Sequence, residues 1–532
     1  MPIFHRKAFC MSMLAISAAL MTSCDSGSDA SKDGVISKAK PEPIAMGNPA
    51  AGKEVYRFET FGNEGFWTDA ARMPEGVLAA KVTPIDALKI GLSVDVEMLP
   101  PALRKALAAE LATDLSPAKA PLLNDVKTTV QIIEANAVIG IVAKDSNRDG
   151  RIDLAKGDKV GVSCTICHAI TDKSVYDLPG GGSIGRRVDG PAALTLNMGK
   201  LLATAANSRA VYPNLQLELG GKTIGRAPKG LTPASNEAEV DAYLSNPAFY
   251  PVGTFDDTQD GHGNPVVNVP LFRQDLAAPF GSAGEHAILE NIGNASYTSN
   301  LDPTTLVTPE GRAFLEMMGG AAGVELAAGY AKILAETKVT GHPFVTASSG
   351  HPVGDVASPV GRKVDRTKLL DMNAYMVALQ APKGAHVDTA AAKRGRERFT
   401  SDCTSCHNVD QSVPVPTILV AMSDISPSYA PEVLAQRTAP LSAIQNSPGT
   451  FDDKMIVVDA STRGEIRGNA LPMLLDLDRR SVFLHDSSVQ GLDALLDPAR
   501  GPQAPHPFYV ADAKQRSDMV LFLRSLDTGD AH

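Results

Sequence analysis

Two short segments carry the residues best suited to chemistry: Cys164-Thr165-Ile166-Cys167-His168 and Cys403-Thr404-Ser405-Cys406-His407. In each, two thiols and an imidazole fall within about one helical turn. Each thiol can add to a vinyl group of a porphyrin as a thioether. The adjacent histidine is then held beneath the iron as its proximal ligand. Zinc would need four ligands drawn from both segments, and a redox dithiol does not require the histidine that follows it twice here. The pattern therefore predicts two haem c groups, attached through Cys164, Cys167, Cys403 and Cys406, with His168 and His407 as axial ligands.

The iron's opposite position decides between chemistry and simple electron transfer. For the second iron the candidates are His485, in Phe483-Leu484-His485-Asp486, and Met473, in Leu471-Pro472-Met473. For the first they are Met198, 30 residues after His168, and His286, in Gly284-Glu285-His286-Ala287. An open position on the first iron is a further option. The polar stretch Asp145-Ser146-Asn147-Arg148-Asp149-Gly150-Arg151-Ile152-Asp153 fits the first nine positions of a calcium loop. Its ligands would be Asp145, Asn147, Asp149, Asp153 and the Arg151 carbonyl, although position 12 is Lys156 rather than an acid. The alternative is an Asx-rich surface turn.

The elements around these segments follow from local pattern. Helical spacing of apolar residues appears at Pro84–Leu92 and Ala102–Leu111, within a mainly helical region 53–142. Helices are predicted at Arg366–Gln380, ended by Ala381-Pro382-Lys383-Gly384, at Thr389–Phe399, and at Asp512–Leu526. Gly395 and Phe399 sit where a close helix crossing needs a small residue and an aromatic, with Leu521, Phe522, Leu523 and Leu526 opposite. The helix at 366–380 is expected to close the first unit in the same way. The fold class is thus mainly α: two class I cytochrome c-like haem domains, 143–383 and 384–532. The first carries a long loop-rich insertion between His168 and residue 365, and the helical N-terminal region precedes it.

The chain has 532 residues, a formal charge of −10 and six cysteines. His5-Arg6-Lys7 and the short apolar stretch Met11–Leu20 read as an export signal over residues 1–23. The stretch ends at Leu20-Met21-Thr22-Ser23-Cys24, which resembles a bacterial lipobox, so Cys24 is the expected lipidation site and residues 24–52 a flexible tether. The expectation is a periplasmic lipoprotein that meets the membrane only through an N-terminal lipid. Cys10 lies in the signal, and the other four cysteines are those of the two motifs, leaving none for a structural disulfide. The acidic balance argues against nucleic-acid binding and permits a redox partner protein, either a small cytochrome or a quinol-linked donor.

Ser481-Val482-Phe483-Leu484-His485-Asp486-Ser487-Ser488-Val489-Gln490-Gly491-Leu492 resembles a signature of bacterial di-haem cytochromes, the superfamily of the di-haem cytochrome c peroxidases and the haem rubber oxygenases. Phe58–Trp67 and the segment from Gly181 to Gly190 are similar to the oxygenase-like, largely uncharacterised branch. The resemblance implies an exported redox protein. Its C-terminal haem would relay electrons, and its N-terminal haem, at His168, would react with peroxide, oxygen or an organic substrate. The alternative is a pure electron-transfer cytochrome with both irons six-coordinate. Two departures separate the chain from the peroxidases. Their methionine ligand to the C-terminal haem has its counterpart near Ala499. Their tryptophan between the haems is missing, since Trp67 is the sole tryptophan.

Overall fold

In the computed structural model the described residues are 35–38 and 43–529, with gaps at 279, 282–285, 287, 355–357, 359, 386–388, 417, 422–440, 444–455, 459–467, 485 and 503. The expected signal, Cys24 and most of the tether lie outside them, as does His485.

Helix α1 spans Pro49–Phe58. Asn48 caps it, accepting from the Ala50 and Ala51 amides, and Pro49 supplies a preset first turn. The helix thus starts inside the predicted tether and folds back on the closing helix of the same unit. Next come α2 (Pro84–Ile90), begun by a Thr83/Asp86 capping box, and α3 (Pro101–Leu111). Strands β1 (Ile141–Lys144) and β2 (Lys159–Val162) pair antiparallel, with Ile141 opposite Val162 and Lys144 opposite Lys159. Residue Cys164 follows β2 almost at once. The first motif ends in β3 (Ala169–Thr171), which pairs antiparallel with β4 (Arg187–Asp189). Further on lie α4 (Met198–Leu202) and then α5 (Arg366–Ala378), capped by Asp365. The second motif ends α6 (Ala390–Asp402), capped by Thr389. After the tight hairpin β5 (Val482–Phe483) and β6 (Val489–Gln490), the chain closes with α7 (Ala513–Ser525), capped by Asp512.

Two hydrophobic cores result. One is continuous from Val55 to Met376. The other runs from Phe399 to Leu526 and is much smaller. The expected boundary between a helical N-terminal region and a first haem domain, at 142/143, is not a boundary of packing: Val55, Leu88, Leu123, Ile166 and Met372 share one core. The physical reason is α1, whose buried face lies against α5.

Both units are closed by the same helix crossing. A Cβ added to Gly52 of α1 would lie 1.9 Å from the Asp371 carbonyl and 3.0 Å from Tyr375 Cβ. One added to Gly395 of α6 would lie 2.1 Å from the Asp518 carbonyl and 2.8 Å from Phe522 Cβ. Four residues beyond each glycine an aromatic meets the partner helix: Tyr56 against Tyr375 at 5.4 Å between ring centres, and Phe399 against Phe522 at 5.3 Å. Backbones can approach this closely only where no side chain intervenes. The close crossing expected at Gly395 is therefore present, with Phe522, Leu523 and Leu526 buried and Leu521 partly so. Its counterpart at Gly52 stands more than a hundred positions ahead of the Cys164 segment, whereas Phe399 stands four ahead of Cys403. The first unit thus carries inserted chain before its motif as well as after it.

Candidate functional site

The first Cys-His segment is fixed from three sides. The Phe58–Trp67 corner supplies Asn63, whose side-chain amide pairs with Val162 in both directions, donating to its carbonyl at 2.8 Å and accepting from its amide at 2.9 Å. The Ser163 hydroxyl donates to the Arg57 carbonyl at 2.8 Å. Gly140, at φ +85°, lets the β1 hairpin press so close that a Cβ there would sit 2.2 Å from Ile166 Cα. Behind the motif, the Ala193 amide donates to the Cys167 carbonyl, and Tyr56 Oη and the Gly190 amide both donate to the His168 carbonyl. Such over-determination leaves the main chain of the segment little freedom.

Within this frame Cys164 Sγ lies 3.4 Å from Tyr297 Oη and 3.7 Å from Met372 Sδ. His168 Nδ1 lies 2.7 Å from the Val269 carbonyl oxygen. A carbonyl only accepts, so Nδ1 carries the proton and Nε2 keeps its lone pair. Burial pushes the Cys167 thiol up to about 12, with Cys164 and Asp257 adding to the effect, and raises Cys164 as well. Burial also holds the His168 imidazole down to about 4. The site thus offers two neutral thiols and a neutral imidazole. That is the opposite of the lowered thiol pKa a redox dithiol needs. Cys164, Cys167 and His168 nevertheless keep part of their surface accessible although protein surrounds them.

The second segment is built differently. Its turn continues α6: the Cys403 amide donates to Phe399 and the His407 amide to the Cys403 carbonyl. Thr404 and Ser405 are exposed, whereas their counterparts Thr165 and Ile166 are 0% and 6% exposed. Burial raises the Cys403 thiol to about 11 and lowers His407 to about 4. The His407 ring packs near Phe399 at 6.4 Å. A second imidazole, His506, stands with its ring centre 6.5 Å away. The motif cysteines are unpaired in both segments. Among the described residues no group of three His, Cys, Asp or Glu side chains converges to hold a single metal ion.

The other expected site residues fall as follows. Met198 is 3% exposed and opens α4 inside the main core, the core against which Cys164 and Cys167 also pack. His286 is half-buried, pairs through its backbone with Phe280, and leaves Nδ1 without a partner. Met473 is half-buried beside Leu474, whose amide is bound by Gln411. The Asp145 loop spends its oxygens on its own backbone. Asp145 accepts from the Asp149 and Gly150 amides, Asn147 from Asp149, Asp149 from Arg151, and Asp153 from Ala155. Asp158 accepts from Ser146, Asn147 and Asp153. The side chains expected to hold calcium form a self-capped Asx turn; among the described residues no group of three His, Cys, Asp or Glu side chains is placed to hold a metal ion. Trp67 packs edge-on against Phe66 as part of the corner.

Sequence reasoning missed His506, and with it Tyr56, Tyr297 and Val269. A signal for the first was present in Pro505-His506-Pro507, a histidine stiffened on both sides. The others act through a backbone carbonyl or across hundreds of positions and leave no local pattern.

No known protein family and no curated protein matches the chain. Among solved structures, hydrazine synthase from Kuenenia stuttgartiensis, in a crystal pressurised with xenon, aligns over 50% of this chain and 74% of its own, with 16% identity and a TM-score of 0.25. Likeness at that level carries no argument about fold or function.

Proposed function

We propose that the protein is an exported redox protein carrying two covalently attached c-type haems, one in each unit, with the reactive site in the first. The observation that carries this reading is the state of His168. Its Nδ1 proton is committed to the Val269 carbonyl, and its Nε2 lone pair is free beside two half-buried, neutral, unpaired thiols. His407 likewise follows two unpaired cysteines, Cys403 and Cys406. When bound, a haem at each site would supply a one-electron couple and, at an iron with an open face, a position for peroxide, oxygen or an organic substrate.

The chain's own residues divide the work. Val269 orients the His168 ring and, by accepting its proton, makes Nε2 a better donor to a metal. Tyr56 and Gly190 pin the His168 backbone. Tyr297 and Met372 pack against Cys164 and close that edge to solvent. Among the described residues no ring faces His168 as His506 faces His407, which favours chemistry at the first site over simple relay. The exposed Thr404 and Ser405 put the second segment at the surface, where a small cytochrome or quinol-linked donor can deliver electrons. A segment joins the two sites: Val269 accepts from His168, and seven residues on the Leu276 carbonyl accepts from the Val415 amide, eight residues beyond His407.

Export and a lipid on Cys24 complete the proposal, placing the protein in the periplasm beside a membrane. Pyridine haemochrome quantitation tests the core of it. Two haems per chain are expected, and one after Cys164→Ala with Cys167→Ala; a value of zero in the native protein sinks the reading.

A further inference from the structure

The geometry points to His506 as the second axial ligand of the metal held by His407, so that the second unit carries a bis-imidazole iron. The assignment rests on the presence of haem at that unit. It rests also on four independent features of the loop after the hairpin.

Spacing comes first. A metal–imidazole bond is about 2 Å long, and half the width of each ring adds roughly 1 Å. Two imidazoles that grip one ion from opposite faces therefore have ring centres roughly 6 Å apart. His407 and His506 stand 6.5 Å apart with their planes at 54°. Direct stacking would bring the rings closer, and a hydrogen bond between them would remove the second feature. That feature is an unpaid polar atom: His506 Nδ1 is buried and finds no hydrogen-bond partner. Buried imidazole nitrogens are normally satisfied, and an orphan asks for a ligand.

The third feature is backbone strain. His506 is held at φ +55°, in the left-handed region that few residues other than glycine adopt. Strain of this kind persists where the surroundings over-determine it and gathers at functional positions. The surroundings are visible. Pro505 and Pro507 flank the residue, and Arg500 donates to the Pro505 carbonyl at 2.7 Å and lies 3.5 Å from the His506 carbonyl. The fourth is a ring contact: Phe508 meets the imidazole edge-on at 5.0 Å. A ligand held before the metal arrives loses little freedom on binding it.

The test pairs haem quantitation with spectra of the whole protein and of His506→Met, His506→Ala and His485→Ala. With two haems retained, His506→Met should keep one low-spin iron and raise its midpoint potential, because methionine favours the reduced state relative to histidine. His506→Ala should open that iron, so that carbon monoxide uptake rises by one per chain. Should the alanine variant lose its haem, the methionine variant still reports. If both His506 variants keep two haems and the native spectrum, while His485→Ala changes it, the ligand is His485 and the assignment is wrong. If the native protein carries no haem at all, the assignment falls together with the proposed function, a result the haem count alone reveals.

Discussion

The same device closes both halves of the molecule, yet it holds two different sites. In each, a glycine lets two helices touch backbone to backbone, and an aromatic four residues on packs across the crossing. In the second half the crossing leads straight into Cys403, and the Cys-His turn is a continuation of α6 with its outer residues in solvent. In the first, more than a hundred residues separate Tyr56 from Cys164. The motif is held by a hairpin, by a corner at Asn63 and by the loop bearing Val269. Tyr56 still reaches it, donating to the His168 carbonyl. The difference teaches that the crossing is the frame and the inserted chain is what builds an enclosure. On the short frame the His407 ring stands 6.5 Å from that of His506. On the padded frame Val269, Tyr56 and Gly190 hold His168.

The largest effects should come from the cysteines. Cys403→Ala with Cys406→Ala should remove one haem and leave the spectrum of the enclosed site. Cys164→Ala with Cys167→Ala should remove the other and leave a low-spin spectrum. If the two double variants are spectrally alike, the contrast between the sites is wrong.

Next come the crossings. Gly395→Val and Gly52→Val each force a side chain into a backbone carbonyl about 2 Å away. Overpacking of this kind costs about 1–3 kcal/mol, occasionally more. The small core from Phe399 to Leu526 has less to lose. Gly395→Val should therefore melt the second unit ahead of the first and give two thermal transitions. Gly52→Val should lower the main transition. Identical single transitions would show that the halves do not fold as separate cores.

A smaller effect attaches to Tyr56. Tyr56→Phe keeps the ring contact with Tyr375 and removes the hydrogen bond to His168, so it should cost about 1 kcal/mol in denaturant unfolding. A change in the first iron's spectrum should accompany it, and the second iron's should stay as it was.

A further effect concerns titration in the first unit. Burial holds the His286 imidazole at about 4, whereas an unfolded histidine titrates near 6.5. Between those values the unfolded chain takes up a proton that the folded chain refuses. Stability supplied by neutral His286 is full above about pH 6.5 and falls as pH drops towards 4, by at most about 1.4 kcal/mol per unit. His286→Gln should make the urea midpoint less sensitive to pH between 7 and 5. An unchanged dependence would mean that His286 is not enclosed.

Much of the second unit was legible because its signals are local. Thr389, Gly395, Phe399 and the Cys-His turn follow one another within twenty residues, and Asp512 and Phe522 mark the closing helix. The first unit was legible only in pieces. Arg366–Gln380 read as a helix, but its partner α1 did not. Pro49–Phe58 lies far from the motif it frames, beside a stretch whose composition suggests a tether. The Asp145 loop shows how two readings share one pattern: the spacing of its oxygens satisfies a calcium loop, and the same side chains satisfy the loop's own amides. His506 went unseen for another reason. Its strength as a candidate comes from its distance to His407, and no pattern along the chain encodes a distance of that kind.

Carbon monoxide titration of the reduced native protein, read against its haem count, tests the central claim most directly. Two haems with uptake of one carbon monoxide per chain is the result expected of one enclosed reactive iron and one closed by His506. Uptake of none would make the protein a plain electron carrier. Uptake of two would leave the second iron open and contradict the contrast between the two sites.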